Sequence, residues 1–165
     1  MPDIVIKAKT GNVNMTGTAF MVYANRYREA AVKLASTTKA KNGFDPVIYF
    51  LFCLSLELHL KSYIWLHDQI GTEKIRTKYR HDIEKLWSHA KSKGIAKFAQ
   101  PTTLRERVIK LVGPYYRDRQ FNYLDLKMVF GGYKNLKAES KVLPTLSRLT
   151  DQLGKSLREP ILHVS

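Results

Sequence analysis

Asp45-Pro-Val-Ile-Tyr-Phe-Leu-Phe-Cys-Leu-Ser-Leu-Glu57-Leu-His-Leu-Lys61-Ser-Tyr-Ile-Trp65-Leu66 has the pattern of a long helix at the centre of a bundle. Its first two residues suit a helix start. An Asp side chain accepts hydrogen bonds from the first free amides, and Pro fits the first turn because its missing N–H has no intrahelical partner there. From Pro46 to Leu56 the run is apolar on every face, as in a helix enclosed by other helices. A buried strand competes for so short a run. Continuation to Leu66 without a breaker makes 22 residues, too long for an ordinary strand. The apolar run itself is 11 residues, against about 20 needed to span a bilayer.

Working outward, amphipathic segments flank this helix. Upstream, residues 1–15 read as a tail, and a helix begins near Thr16 or Thr18. Phe20, Tyr23, Tyr27, Ala30, Ala31 and Leu34 fall at helical spacing, with Arg26, Arg28, Glu29 and Lys33 facing away. Gly43 marks its stop. Downstream, 68–79 reads as a basic connector. A third helix runs from Asp82 to Gly94 on Ile83, Leu86, Trp87 and Ala90. A fourth starts at Pro101-Thr-Thr103, where Thr103 with Glu106 fits a capping box, and Gly113-Pro114 ends it. Residues 115–142 read as irregular. A last helix spans Pro144 to Leu157, stopped by Pro160. The expectation is one all-α, up-and-down bundle of four to five helices over 16–160, with tails at 1–15 and 161–165.

The chain has 165 residues, with 28 Lys and Arg against 14 Asp and Glu, a net charge of +14. Residues 71–120 hold 13 basic and 5 acidic side chains, so the excess is concentrated there. Such a balance favours contact with polyanions such as RNA, DNA or an acidic partner, or else serves as a solvated basic surface. The single cysteine, Cys53, excludes an internal disulfide and a cysteine-based zinc site, and it reads as a small core residue. A reducing, cytoplasmic setting fits, and residues 1–15 do not resemble a signal peptide. His59, His67 and His89 lack a second ligand at helical spacing, so no metal and no cofactor is expected.

Two places stand out chemically. Glu57 and Lys61 lie four residues apart on one face of the apolar helix, in the favourable order. They are either a surface pair where the helix reaches solvent or the anchor of a polar site. His81 stands just before Asp82, the expected cap of the third helix, where a neutral imidazole can accept a proton or a hydrogen bond. Lys74, Arg76, Lys78 and Arg80 crowd the preceding segment. Further on, Tyr115, Tyr116, Arg117, Arg119, Phe121 and Tyr123 interleave aromatic and basic side chains. That pattern suits base stacking with phosphate neutralisation, or a packed crossover with arginines at its rim.

Ser-Leu-Glu57-Leu-His-Leu-Lys61-Ser on the apolar helix, then a basic loop, then His81-Asp82-Ile83-Glu-Lys-Leu86-Trp, resembles the HEPN superfamily. The resemblance is strongest over residues 20–95. Arg80 replaces the small residue common there, and Ile83 replaces a leucine. The resemblance implies a helical bundle, often dimeric, that binds RNA or nucleotides or pairs with a nucleotidyltransferase chain. Some members are metal-independent ribonucleases with an Arg-x(4–6)-His motif, in which His is the general acid/base and Arg stabilises the phosphorane-like charge. Arg76-x4-His81 matches by spacing, as does Arg158-x4-His163, which Pro160 interrupts. The reading favours a binding module through Lys74, Arg76, Lys78, Arg80, Arg117, Arg119 and Tyr123. Glu57, Lys61 and Asp82 are its polar-site candidates. Catalysis by His81 with Arg76 is the alternative. A homodimer and a nucleotidyltransferase partner are the expected protein contacts, and no membrane is expected.

Overall fold

The computed structural model describes residues 16–38, 44–122 and 132–163. Among these residues the chain is all helical, with no strand. The helices are α1 (Gly17–Thr37), α2 (Pro46–Asp68), α3 (Thr72–Tyr79), α4 (Ile83–Ser92), α5 (Thr103–Arg117), α6 (Lys134–Ala138), α7 (Val142–Ser156) and α8 (Arg158–Leu162), with a 3-10 turn at Ile95–Lys97. Tyr123, Gly43 and the tail at 1–15 lie outside the described residues.

α2 is the axis of the bundle. Asp45 caps it, its carboxylate accepting from the Val47 amide at 2.9 Å. α1, α3, α4, α5, α7 and α8 all pack against it, which is why its sequence has no polar face. Leu56, Leu60, Tyr63 and Ile64 are completely buried. Removing such side chains from water contributes about 1.5–3 kcal/mol each. The helix is 23 residues long and apolar enough to cross a bilayer, but 78% of its most apolar window is buried against its neighbours. Cys53 sits in this core, and burial pushes its thiol up.

α1 starts where expected, with the Thr16 hydroxyl accepting from the Ala19 amide at 3.3 Å. Its inward stripe is rotated from the expected one. Gly17, Phe20, Met21, Ala24 and Ala31 are buried, whereas Tyr23 and Ala30 are exposed. Two contacts set that rotation. A Cβ on Gly17 would lie 2.0 Å from the Trp65 ring, so glycine lets α1 press onto α2. Arg28, placed on the outer face by sequence, is half-buried and pairs with Asp151 of α7.

Five local expectations fail for tertiary reasons. The connector at 68–79 contains α3, because Ile75 and Tyr79, four apart, both bury. The capping box does not form. Thr102 is the cap of α5, and Glu106 instead accepts from the Trp87 indole at 2.8 Å and pairs with Lys91 at 2.8 Å. Gly113-Pro114 does not stop α5, which runs to Arg117. A Cβ on Gly113 would lie 2.6 Å from the Glu84 carboxylate of α4, so this glycine serves close packing. The extra turn buries Tyr116, which outweighs the amide that Pro114 lacks. The irregular segment expected at 115–142 is accordingly helical to Arg117 and again in α6. Pro160 lies inside α8 rather than beyond the last helix, at its third residue, where no intrahelical amide is needed.

Candidate functional site

Glu57 and Lys61 are a buried pair, 2% and 4% exposed, so the surface-pair alternative is set aside. The Lys61 ammonium donates to Glu57 Oε1 at 2.5 Å and to the Arg80 carbonyl at 2.8 Å. The other carboxylate oxygen accepts from the Tyr116 hydroxyl at 2.5 Å and from His81 Nδ1 at 3.0 Å. One carboxylate therefore joins α2, α5 and the turn between α3 and α4. Burial pushes the Glu57 carboxyl up, but hydrogen bonds from His81, Lys61 and Tyr116 with the Lys61 charge outweigh it and hold the group below its ordinary value. Glu57 is an anion at neutral pH. Burial, then the Glu57 charge, drives the Tyr116 hydroxyl well above its ordinary value, so it remains a donor.

The consequence for His81 is orientation. A carboxylate only accepts, so Nδ1 carries the ring proton and donates to Glu57. Nε2 is left as the nitrogen able to meet a ligand. The Tyr116 ring stands edge-on to the imidazole, centroids 6.0 Å apart. On the other side of His81, the Asp82 carboxylate caps α4, accepting from the Lys85 amide at 2.9 Å. Asp82 therefore fixes the turn, as the sequence predicts.

His81 borders a basic cleft. Lys61, Arg76, Arg80 and Arg119 line one part of it, with Glu73 their acidic neighbour. Lys78, Lys85 and Arg117, with the acidic Asp82, line an adjoining part that shares Arg80, His81 and Arg119 with the first. Of the nucleic-acid candidates, Arg76, Lys78, Arg80, Arg117 and Arg119 line this cleft, and the two catalytic candidates Arg76 and His81 share it. Lys74 is exposed on α3 and lies outside the cleft lining. Among the described residues, the aromatic rings of the Tyr115–Tyr123 run, Tyr115, Tyr116 and Phe121, form no exposed stacking platform. Tyr116 and Phe121 are buried, and Tyr115 stacks on Phe121 within the core. Arg117 and Arg119 of that run are exposed, as are Asp118 and Asn122 between and beyond them. Arg158 and His163 are both exposed, and neither lines the cleft around His81.

Two cleft arginines are held in backbone conformations that favour glycine. Arg80 has φ 45° and ψ −117°, and Arg119 has φ 58°. Such positions cost of order 1–3 kcal/mol and persist only where the surroundings hold them. Lys61 supplies that restraint for Arg80 through its carbonyl. Arg80→Gly is expected to stabilise the fold by about 1 kcal/mol, as relief of strain exceeds the added freedom of the unfolded chain. A raised urea midpoint with an unchanged m-value reports it; a lowered midpoint means the arginine side chain is itself structural.

Tyr116 as a partner of Glu57 was not legible from sequence, because the two are 59 residues apart. Nor was the place of Tyr23 and Tyr27, read as core, which line a second cleft shared with His81. The available signal was their hydroxyls at i,i+4 on a helix face. Among the described residues no group of three or more potential metal ligands occurs. No protein-family model matches the chain. No curated protein matches it, and no solved structure does.

Proposed function

We propose that this protein is a HEPN-type helical domain that binds RNA or nucleotide phosphates in the basic cleft around His81. The observation that carries this reading is the clustering of Arg76, Arg80 and Arg119 about one oriented imidazole. Two of these arginines occupy strained backbone positions. Strain retained at positions that glycine would relieve points to a use for the side chains. A guanidinium fork matches phosphate geometry, and several forks around one cleft suit a phosphodiester backbone.

Titration of single-stranded RNA against the protein over a range of salt tests this. Each phosphate contact releases condensed counterions, so Arg80→Gln and Arg119→Gln should each reduce the slope of log K against log salt by about 0.7. Absence of binding at low salt, or a slope indifferent to both substitutions, removes the reading.

The bond between His81 Nδ1 and Glu57 favours a second reading, metal-independent RNA cleavage. Nε2 would take the proton of a ribose 2′-hydroxyl as its oxygen attacks phosphorus. Arg76 would stabilise the charge that develops, and the P–O5′ bond would break, the 5′-oxygen leaving as a hydroxyl protonated by water. Glu57 would be a positioning residue. Incubation with RNA in EDTA should then release fragments ending in 2′,3′-cyclic phosphate, and His81→Ala should abolish them. RNA that stays intact while still bound leaves the binding reading alone standing.

A further inference from the structure

His81 stands where two unlike clefts meet. One is the basic cleft just described. The other, about 360 Å³, is walled by Tyr23 and Tyr27 of α1 and Leu54 and Leu58 of α2, with Arg76 and His81 at its border. That volume falls at the low end of the roughly 300–1,000 Å³ typical of small-ligand sites. Tyr23 is 49% exposed, the most exposed aromatic ring among the described large apolar side chains. Phe20, buried on the same helix three residues earlier, also lines this cleft. An aromatic wall beside guanidinium and imidazole groups has the amphipathic pattern of a nucleotide: a flat ring joined to an anion.

We infer that the Tyr23–Tyr27 cleft receives one unpaired nucleobase while Arg76 and His81 hold the adjoining phosphate, so that the ligand is single-stranded RNA rather than duplex. The inference rests on the phosphate-binding reading above. In a duplex, stacking between neighbouring pairs covers the base faces, and pairing holds each base in that stack. Only an unpaired base can swing onto a protein ring, and such stacking tolerates any base identity. Arg76 belongs to both clefts, so one side chain links the base and phosphate subsites.

Fluorescence anisotropy at one low salt concentration, with three probes, decides the matter. The probes are a short single-stranded oligoadenylate, an abasic strand of equal length and a duplex RNA, each titrated against the unchanged protein, Tyr23→Leu and Tyr23→Phe. The base-bearing strand should bind about tenfold tighter than the abasic strand, the size of one aromatic–base stack. Tyr23→Leu should erase that difference, and Tyr23→Phe should keep it. Because Tyr23 is half exposed, neither change threatens the core. Equal and salt-sensitive binding of both strands overturns the base subsite and leaves phosphate binding intact. Duplex bound as tightly as the single strand also overturns it. Failure of every probe to bind overturns both readings.

Discussion

Replacing Glu57 with alanine is expected to cost about 3–5 kcal/mol of folding stability, the usual penalty for leaving one member of a buried ion pair alone. The Lys61 ammonium would lose its carboxylate at 2.5 Å and keep only the Arg80 carbonyl. His81 Nδ1 and the Tyr116 hydroxyl would lose their acceptor as well. Against a total stability of about 5–15 kcal/mol, that is a large fraction. Denaturant unfolding should show it as a lower midpoint, and heating as a fall in Tm of about 10 °C. Glu57→Leu with Lys61→Met should recover much of the loss, since paired apolar replacements remove the stranded charge. A loss under about 1 kcal/mol for Glu57→Ala would mean that water reaches Lys61 and that the network is not a scaffold. The same experiment separates scaffold from function. Glu57→Gln with lowered stability but unaltered RNA affinity assigns Glu57 to holding α2, α5 and the α3–α4 turn together.

The second large effect is loss of stability in mild acid, driven by His59. This side chain is completely buried on the face of α2 turned toward α1 and α7. Nε2 lies 3.1 Å from Asn25 Oδ1, and Nδ1 lies 3.4 Å from the Ser55 hydroxyl. A neutral ring satisfies both, donating to Asn25 and accepting from Ser55. Gly154 of α7 closes over the pair, since a Cβ there would lie 2.4 Å from Asn25 Oδ1 and 3.2 Å from His59 Nε2. Burial, opposed by hydrogen bonding to the Ser55 backbone and assisted by the nearby Arg28 charge, lowers the pKa of His59 from 6.5 to about 4. The unfolded chain therefore binds a proton that the folded one refuses between those two values. Stability is intact above the unfolded value of 6.5 and falls as the pH drops toward 4. The loss should reach about 2 kcal/mol by about pH 5 and about 3 kcal/mol by about pH 4. Urea titrations at a series of pH values measure it, and His59→Gln should flatten that segment of the curve. A wild-type curve already flat over this range would show that His59 is charged in the fold. Glu57 acts at still lower pH. Its carboxyl sits below its ordinary value when folded, so its contribution is present above about pH 4.3 and disappears as protonation reaches the folded group.

The bundle's axis and its all-helical class were legible in the amino-acid sequence. A run apolar on every face, capped by Asp45 and unbroken to Leu66, has no stable place except inside a set of helices. Spacing alone put Glu57 and Lys61 on one face, and chain order put Asp82 at the cap of α4 with His81 before it. These were legible because caps and i,i+4 pairs are local. The tertiary structure decided what local patterns cannot encode. It buried Glu57 and Lys61, where spacing left a surface pair equally open. It carried Tyr116 onto Glu57 from α5, through a Gly113-Pro114 step that local rules read as a stop. It turned α1 so that Tyr23 and Tyr27 line a cleft and Arg28 meets Asp151. Each of these depends on contact between segments far apart in the chain, where burial and a partner's charge outweigh local propensity. The odd charges on the apolar helix thus become the fixed end of a hydrogen-bonded network whose other end, His81, faces the cleft.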